Sequence, residues 1–188
     1  MIELTQQDLI ERFDKPIFHK ISETADELGL ECYAVGGYVR DLFLERPSQD
    51  IDVVVVGSGI AMAEALGQKL GKKAHVSVFR NFGTAQVKCG SLEVEFVGAR
   101  RESYSHDSRK PIVEDGTLED DQNRRDFTIN ALAIRLDCTP YGQLVDFFGG
   151  QRDIKEGVLR VLHTLSFVED PTRSLRAVRS GRGCVNQR

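Results

Sequence analysis

Two aspartates, Asp50 and Asp52, stand two residues apart at the head of the β-branched run Ile51–Val56. In an extended strand residues i and i+2 leave the same face, so the two carboxylates point together. Side by side they repel, and each disfavours ionisation of the other unless a cation lies between them. Magnesium is commonly held by such oxygens, one or two carboxylates sharing it with substrate phosphates and water. The competing reading is purely structural, with Asp50 capping a turn and Asp52 at an exposed strand end. For a third carboxylate the candidate is Glu95, because its strand, Leu92–Val97, can lie beside that of Asp50 and Asp52. Glu93 shares the face of Glu95 and competes with it, and an exposed acidic strand edge explains both equally well.

A second group precedes the aspartates. Gly36-Gly37 falls between a predicted strand and a predicted helix, where backbone amides and a helix N-terminus can meet an anion. Glycine lets a phosphate approach with no Cβ in the way. Arg40, one turn into the helix, can reach the same anion with its forked guanidinium. A tight turn followed by a surface arginine is the bland alternative. Together with Asp50 and Asp52, the arrangement would place a metal-bound triphosphate between cradle and carboxylates. Further on, Arg125 and Asp126 precede another predicted helix, which Asp126 can cap, unless it accepts from a ribose hydroxyl instead. Asn130 lies about one turn on and near Asp126. Near the C-terminus, Asp170, Arg173 and Arg176 recur every three residues, with Arg179 a further turn along. They share one helix face, either a solvated stripe or a site.

The elements that must position these residues follow from periodicity. Ile17, Phe18, Ile21, Ala25 and Leu28 mark a helix over Lys15–Leu28, stopped by Gly29. Strands are expected at Cys32–Val35, Ile51–Val56, Val76–Phe79, Thr84–Val87 and Leu92–Val97, and helices at Tyr38–Glu45 and Ala61–Leu70. Glu102 to Asn123 is polar, contains Pro111 and Gly116, and reads as a long mobile loop. Phe127–Ile134 reads as helical and Val145–Phe148 as a short segment. Ile154–Leu162 is mixed, and Pro171–Arg179 starts an arginine-spaced helix. The order of elements predicts an α+β fold with a mixed sheet flanked by helices.

The bulk numbers narrow the class. The chain has 188 residues, 40% hydrophobic and 29% charged, with a formal net charge of -4. That describes one domain with a sizeable core and a fragment of a second, and no overall basic signature. Basic charge gathers instead at the C-terminus, from Arg173 to Arg188. The four cysteines are scattered without metal-ligand spacing. No leader and no run of about 18 apolar residues is present, so a cytoplasmic setting is the expectation.

The block Gly-Gly-Tyr-Val-Arg-Asp over residues 36–41, followed by Asp50-Ile51-Asp52, resembles the signature of the bacterial (class II) tRNA CCA-adding enzymes and poly(A) polymerases. Arg124-Arg125-Asp126-Phe127-Thr128-Ile129-Asn130-Ala131 is similar to a second family motif, and the acidic lead-in over residues 116–121 resembles that family's. The stretch from Glu169 to Arg179 is similar to a third. The three occur in family order over roughly residues 30–179. The resemblance implies a polymerase-β-like nucleotidyltransferase head over residues 1–150 and the start of an all-α neck over 151–188. It implies addition of CMP and AMP from CTP and ATP to a tRNA 3′ end, with two Mg2+ ions at Asp50 and Asp52. Arg125 would touch the incoming nucleotide, while Asp126 and Asn130 arrange its sugar and the loop around it. Asp170 would orient Arg173, Arg176 and Arg179 toward the nucleotide. The Glu102–Asn123 loop would help switch between adding C and adding A.

The chain departs from the family after the third motif. Residues 180–188 carry two glycines and no helical periodicity, the family's Glu-Glu-x-x-Arg neck motif does not follow, and a truncated or frame-shifted product is the expectation. Within the enzyme class the alternative is a poly(A) polymerase acting on RNA 3′ ends. Outside it stands a truncated nucleotide-binding fragment without turnover. A small-ligand nucleotidyltransferase would share only Gly-Gly and Asp-x-Asp.

Overall fold

Seven consecutive residues from Asp50 to Val56 form the central strand, because five of them are Val or Ile and suit a pleated, buried surface. In the computed structural model, which describes residues 4–46, 48–103 and 112–162, the elements around it run as follows. Helices α1 (Gln6–Phe13) and α2 (Pro16–Leu28) lead into strand β1 (Glu31–Val35), helix α3 (Gly37–Phe43), strand β2 (Asp50–Val56) and helix α4 (Gly59–Leu70). Then come β3 (Ala74–Phe79), β4 (Thr84–Cys89), β5 (Leu92–Gly98), β6 (Arg100–Ser103) and β7 (Ile112–Asp115). Helix α5 (Leu118–Asn123), β8 (Ala133–Arg135), β9 (Leu144–Val145) and α6 (Gly150–Glu156) complete the order.

The main sheet has seven strands in the order β3-β4-β5-β2-β1-β8-β9, and β6 pairs with β7 in a separate ribbon. Only β2 and β5 are parallel, every other pair being antiparallel, so the sheet is mixed. The α+β architecture expected from element order is the one observed. On one face Ile51, Val53 and Val55 join Cys32, Ala34, Val94, Phe96 and the apolar sides of α2 and α4 in the larger core. On the other face Val35, Val54, Ala99, Leu118 and Ala133 make a smaller cluster. Period-2 alternation therefore puts Asp50 and Asp52 on the thinly covered face. No helix among the described residues is long and apolar enough to cross a membrane.

Two expectations need correction, and one helix lies outside them. The segment 102–123 is not a structureless loop where it is described: its ends form β6, β7 and α5. A reciprocal cap starts α5, with Asp120 N–H donating to Thr117 Oγ1 and Thr117 N–H to Asp120 Oδ2. Phe127–Ile134 is not a helix but a 3-10 turn over Thr128–Asn130 followed by β8. Its buried run Ala131–Ile134 suits strand or helix alike, and pairing with the open edge of β1 decides for strand. Helix α1 was not expected, although Thr5 and Asp8 form a capping box at its start.

Candidate active site

Asp50 and Asp52 open β2 on its exposed positions, and the parallel register sets them opposite Glu93 and Glu95 of β5. Asp52 is exposed to water at its tip, yet it stands among close neighbours, with Gly36 and Arg125 beside it. Burial there raises its pKa, Asp50 raises it further, and the Arg125 guanidinium opposes the shift. Glu95 is also raised, first by burial and then by the charges of Asp52 and Glu93. Glu93 is already engaged: it accepts from Gln86 Nε2, and Lys88 Nζ stands 3.9 Å away. Of the two glutamates, Glu95 is thus the one whose nearest charges are carboxylates.

The glycine pair sits directly beside Asp52. Gly36 has φ 71° and ψ −138°, a conformation that side-chain-bearing residues rarely adopt. A Cβ on Gly36 would lie 3.1 Å from Arg125 Nη1 and 3.5 Å from Asp52 Oδ2. The absent side chain therefore leaves open the point where both motifs meet. The Gly36 amide is not available to a ligand, since it donates to the Leu132 carbonyl at 3.4 Å. The amides of Gly37, Tyr38 and Val39 have no acceptor within α3 and are the ones left to face an anion.

Arg40 stands beside Gly37 but turns its fork to protein. Its Nη1 donates to Asn130 Oδ1 at 2.8 Å and its Nε to Asp41 Oδ1 at 3.0 Å. Asn130 Nδ2 in turn donates to Asp126 Oδ1 at 3.2 Å, which also accepts from the Phe127 amide at 2.9 Å. Arg40, Asn130 and Asp126 thus form one relay joining the first motif to the second. Asp126 steadies the start of the 3-10 turn rather than capping a long helix. The site is also tied to the segment that leaves it. The Thr128 amide donates to the Arg160 carbonyl and the Leu162 amide to the Asp126 carbonyl, at 3.0 and 3.1 Å. Buried Asp153 accepts from Thr128 Oγ1 at 2.6 Å and from Arg160.

Sequence reasoning gave no role to Asp121. Its side chain is fully buried and accepts from Arg124 and Arg125. Burial of a carboxylate is a tertiary fact, and only the spacing Asp121-x-x-Arg124-Arg125 hints at it. Asp170, Arg173, Arg176 and Arg179 lie outside the described residues. Among those described, no three His, Cys, Asp or Glu side chains converge as a ready metal cage. The donor set is a pair of carboxylates with Glu95 alongside, which suits a cation that shares its shell with phosphate.

A mixed sheet with paired aspartates opening a central strand, a glycine turn beside them and an inward arginine define a nucleotidyltransferase-type head. Residues 32–160 match the family described as poly A polymerase head domain, and the chain belongs to that family. It is 49% identical over 150 residues to the A-adding tRNA nucleotidyltransferase of Aquifex aeolicus, covering 80% of this chain and 18% of that one. Identity is 46% over 160 residues with the A-adding tRNA nucleotidyltransferase of Geobacter sulfurreducens, again 18% of its length. A CCA-adding enzyme of Lactobacillus delbrueckii is 36% identical over 163 residues, 39% of its length. This chain therefore spans well under half of each of these relatives. Among solved structures, a CCA-adding enzyme in an apo form superposes with a TM-score of 0.84 at 42% identity, over 94% of this chain and 42% of that one. A tRNA nucleotidyltransferase complexed with a primer tRNA and an incoming ATP analog superposes with a TM-score of 0.75 at 46% identity, over 85% and 43%.

Proposed function

We propose that this chain is the catalytic head of a tRNA nucleotidyltransferase, which transfers nucleotides from CTP or ATP to the 3′ end of a tRNA without a template. The observation that carries this reading is the meeting of Asp52, Gly36 and Arg125 at one point, beside a second carboxylate on the same strand face. Residues 1–150 form the head in this reading, and a helical neck begins after them.

The family is one of nucleotidyltransferases, whose chemistry generally depends on a divalent metal. Asp50 and Asp52, with Glu95 as third carboxylate, would hold Mg2+, two ions being expected. Raised carboxyls with like-charged neighbours fit that demand, since a cation removes the repulsion. Bound magnesium lowers the pKa of an attacking hydroxyl and stabilises a leaving phosphate oxygen. The protein's own part is placement. Arg125 offers guanidinium donors to the triphosphate, and Gly36 leaves the room for it. The relay from Arg40 through Asn130 sets Asp126 to take a ribose hydroxyl. Asp170, Arg173, Arg176 and Arg179 are assigned to the nucleotide from the neck side.

Relatives named A-adding stand at 41–49% identity and those named CCA-adding enzyme or multifunctional CCA protein at 36–44%, so the ranges overlap and the test must separate AMP addition from CCA addition. The test is incorporation of labelled CTP and ATP onto tRNA lacking its 3′ CCA, and onto tRNA lacking only the final A, with magnesium and then EDTA. Magnesium-dependent AMP addition supports the reading, and addition of C then A selects the CCA-adding form. An A-tract on unrelated RNA points to a poly(A) polymerase. Absence of both incorporation and magnesium-dependent nucleotide binding would overturn the assignment.

A further inference from the structure

We propose that Asp121 is a positioning residue that holds Arg125 against the nucleotide site, an inference that rests on the functional reading above. Asp121 has no exposed surface, yet its carboxylate is shared between two guanidiniums. Oδ1 accepts from Arg124 Nη2 at 2.7 Å and Nε at 3.1 Å, while Oδ2 accepts from Arg125 Nη2 at 3.2 Å and from Gln122 Nε2 at 3.3 Å. Each oxygen therefore serves a different arginine. Its neighbour Asp120 closes the capping box of α5, so the helix does not need Asp121 for its own start.

The state of Arg125 shows what the clamp achieves. One end of its guanidinium, Nη2, is fixed to Asp121. The other end, Nη1, points to the open point beside Gly36 and Asp52 and makes no hydrogen bond to the described residues. Its Nε is buried with no hydrogen-bond partner among the described residues. Buried donors are ordinarily satisfied, so unspent donors at this place mark a group awaiting an acceptor. Without Asp121, the Arg125 side chain would be free to fold onto Asp52 and compete with any cation there. A long side chain fixed beforehand loses less freedom when the ligand arrives.

The test is a double-mutant cycle on ATP binding by the full chain with magnesium, each variant paired with a melting curve. D121N is expected to weaken ATP roughly tenfold to a hundredfold, the scale of a lost charge-assisted hydrogen bond. R125A should lose a comparable amount, and D121N/R125A no more than R125A alone, because Asp121 acts through Arg125. Where incorporation is measured, D121N should raise KM for ATP while kcat falls less. Wild-type affinity in D121N, or losses that add in the double variant, would overturn the proposal. If D121N does not fold, R124Q decides, since it leaves Arg125 as the one arginine that the described residues place on Asp121. ATP affinity within about threefold of the unaltered chain supports the clamp, and a loss as large as that of R125A overturns it. An unaltered chain that binds no ATP overturns the functional reading itself, which a specific failure of the cycle does not.

Discussion

The residues of β2 divide by alternation between two faces that are held together in different ways. Ile51, Val53 and Val55 are 1% exposed or less and join the larger core, where order comes from close packing of hydrocarbon. On the opposite face Asp50 and Asp52 stand at the mouth of the site. There the surrounding segments are ordered by buried carboxylates, Asp121 on Arg124 and Arg125, and Asp153 on Thr128 and Arg160. Packing fixes shape without preference for charge. Buried ion pairs and hydrogen bonds fix the direction of individual polar atoms, at the cost of dependence on their partners. A site that must aim a guanidinium and a carboxylate at one ligand needs the second kind of order, mounted on the first.

The contrast can be broken by mutation, and the largest effect is expected on the apolar side. Phe96→Ala should cost about 3–5 kcal/mol, because Phe96 is fully buried in the larger core. Chemical denaturation measures this, and a loss below about 1 kcal/mol would show that the core does not carry the fold. Asp50→Ala should do the reverse. Magnesium-dependent transfer should fall by at least about a hundredfold, the upper end of what loss of even an outer partner of a metal costs. Stability should stay within about 0.5 kcal/mol, as for other exposed positions. Unchanged transfer would remove the two-metal assignment.

Asp153→Asn probes the charged mode of order and has the smallest effect. Burial pushes the Asp153 carboxyl up, but hydrogen bonds from Thr128 and Arg160 outweigh it and hold its pKa below the ordinary value of 3.8. A depressed carboxyl stabilises the fold fully above the unfolded-state value, and that contribution is lost as pH falls through the folded-state value. The variant should therefore be less stable than the parent by about 1–3 kcal/mol at pH 7, with the gap closing below pH 3.8. Melting curves from pH 7 to pH 3 check it, and a gap that persists unchanged into acid would mean that shape rather than charge is at stake.

What could be read in the sequence follows the same division. The alternation of Asp50, Ile51, Asp52 and Val53 announces both faces of β2 at once, and Gly36-Gly37 and Arg125 announce what stands opposite. Elements with a clear apolar period, such as α2 and α4, were legible to within a few residues. Those ordered by polar groups were not: β6, β7 and α5 lie in a stretch with almost no apolar period, and only the Thr117–Asp120 capping box signals a helix there. The relay through Arg40, Asn130 and Asp126 joins residues 90 positions apart in sequence, and no local pattern encodes its direction. Nor could spacing show that Gly36 spends its amide on Leu132.

The bond from the Leu162 amide to the Asp126 carbonyl makes the exit of the head a built-in reporter. That amide exchanges with solvent only when the strip beside Asp126 lets go. A ligand that steadies Asp126 should slow the exchange of a proton far along the chain from the carboxylates. Occupancy of the site could then be timed from one backbone position, with no label on nucleotide or RNA.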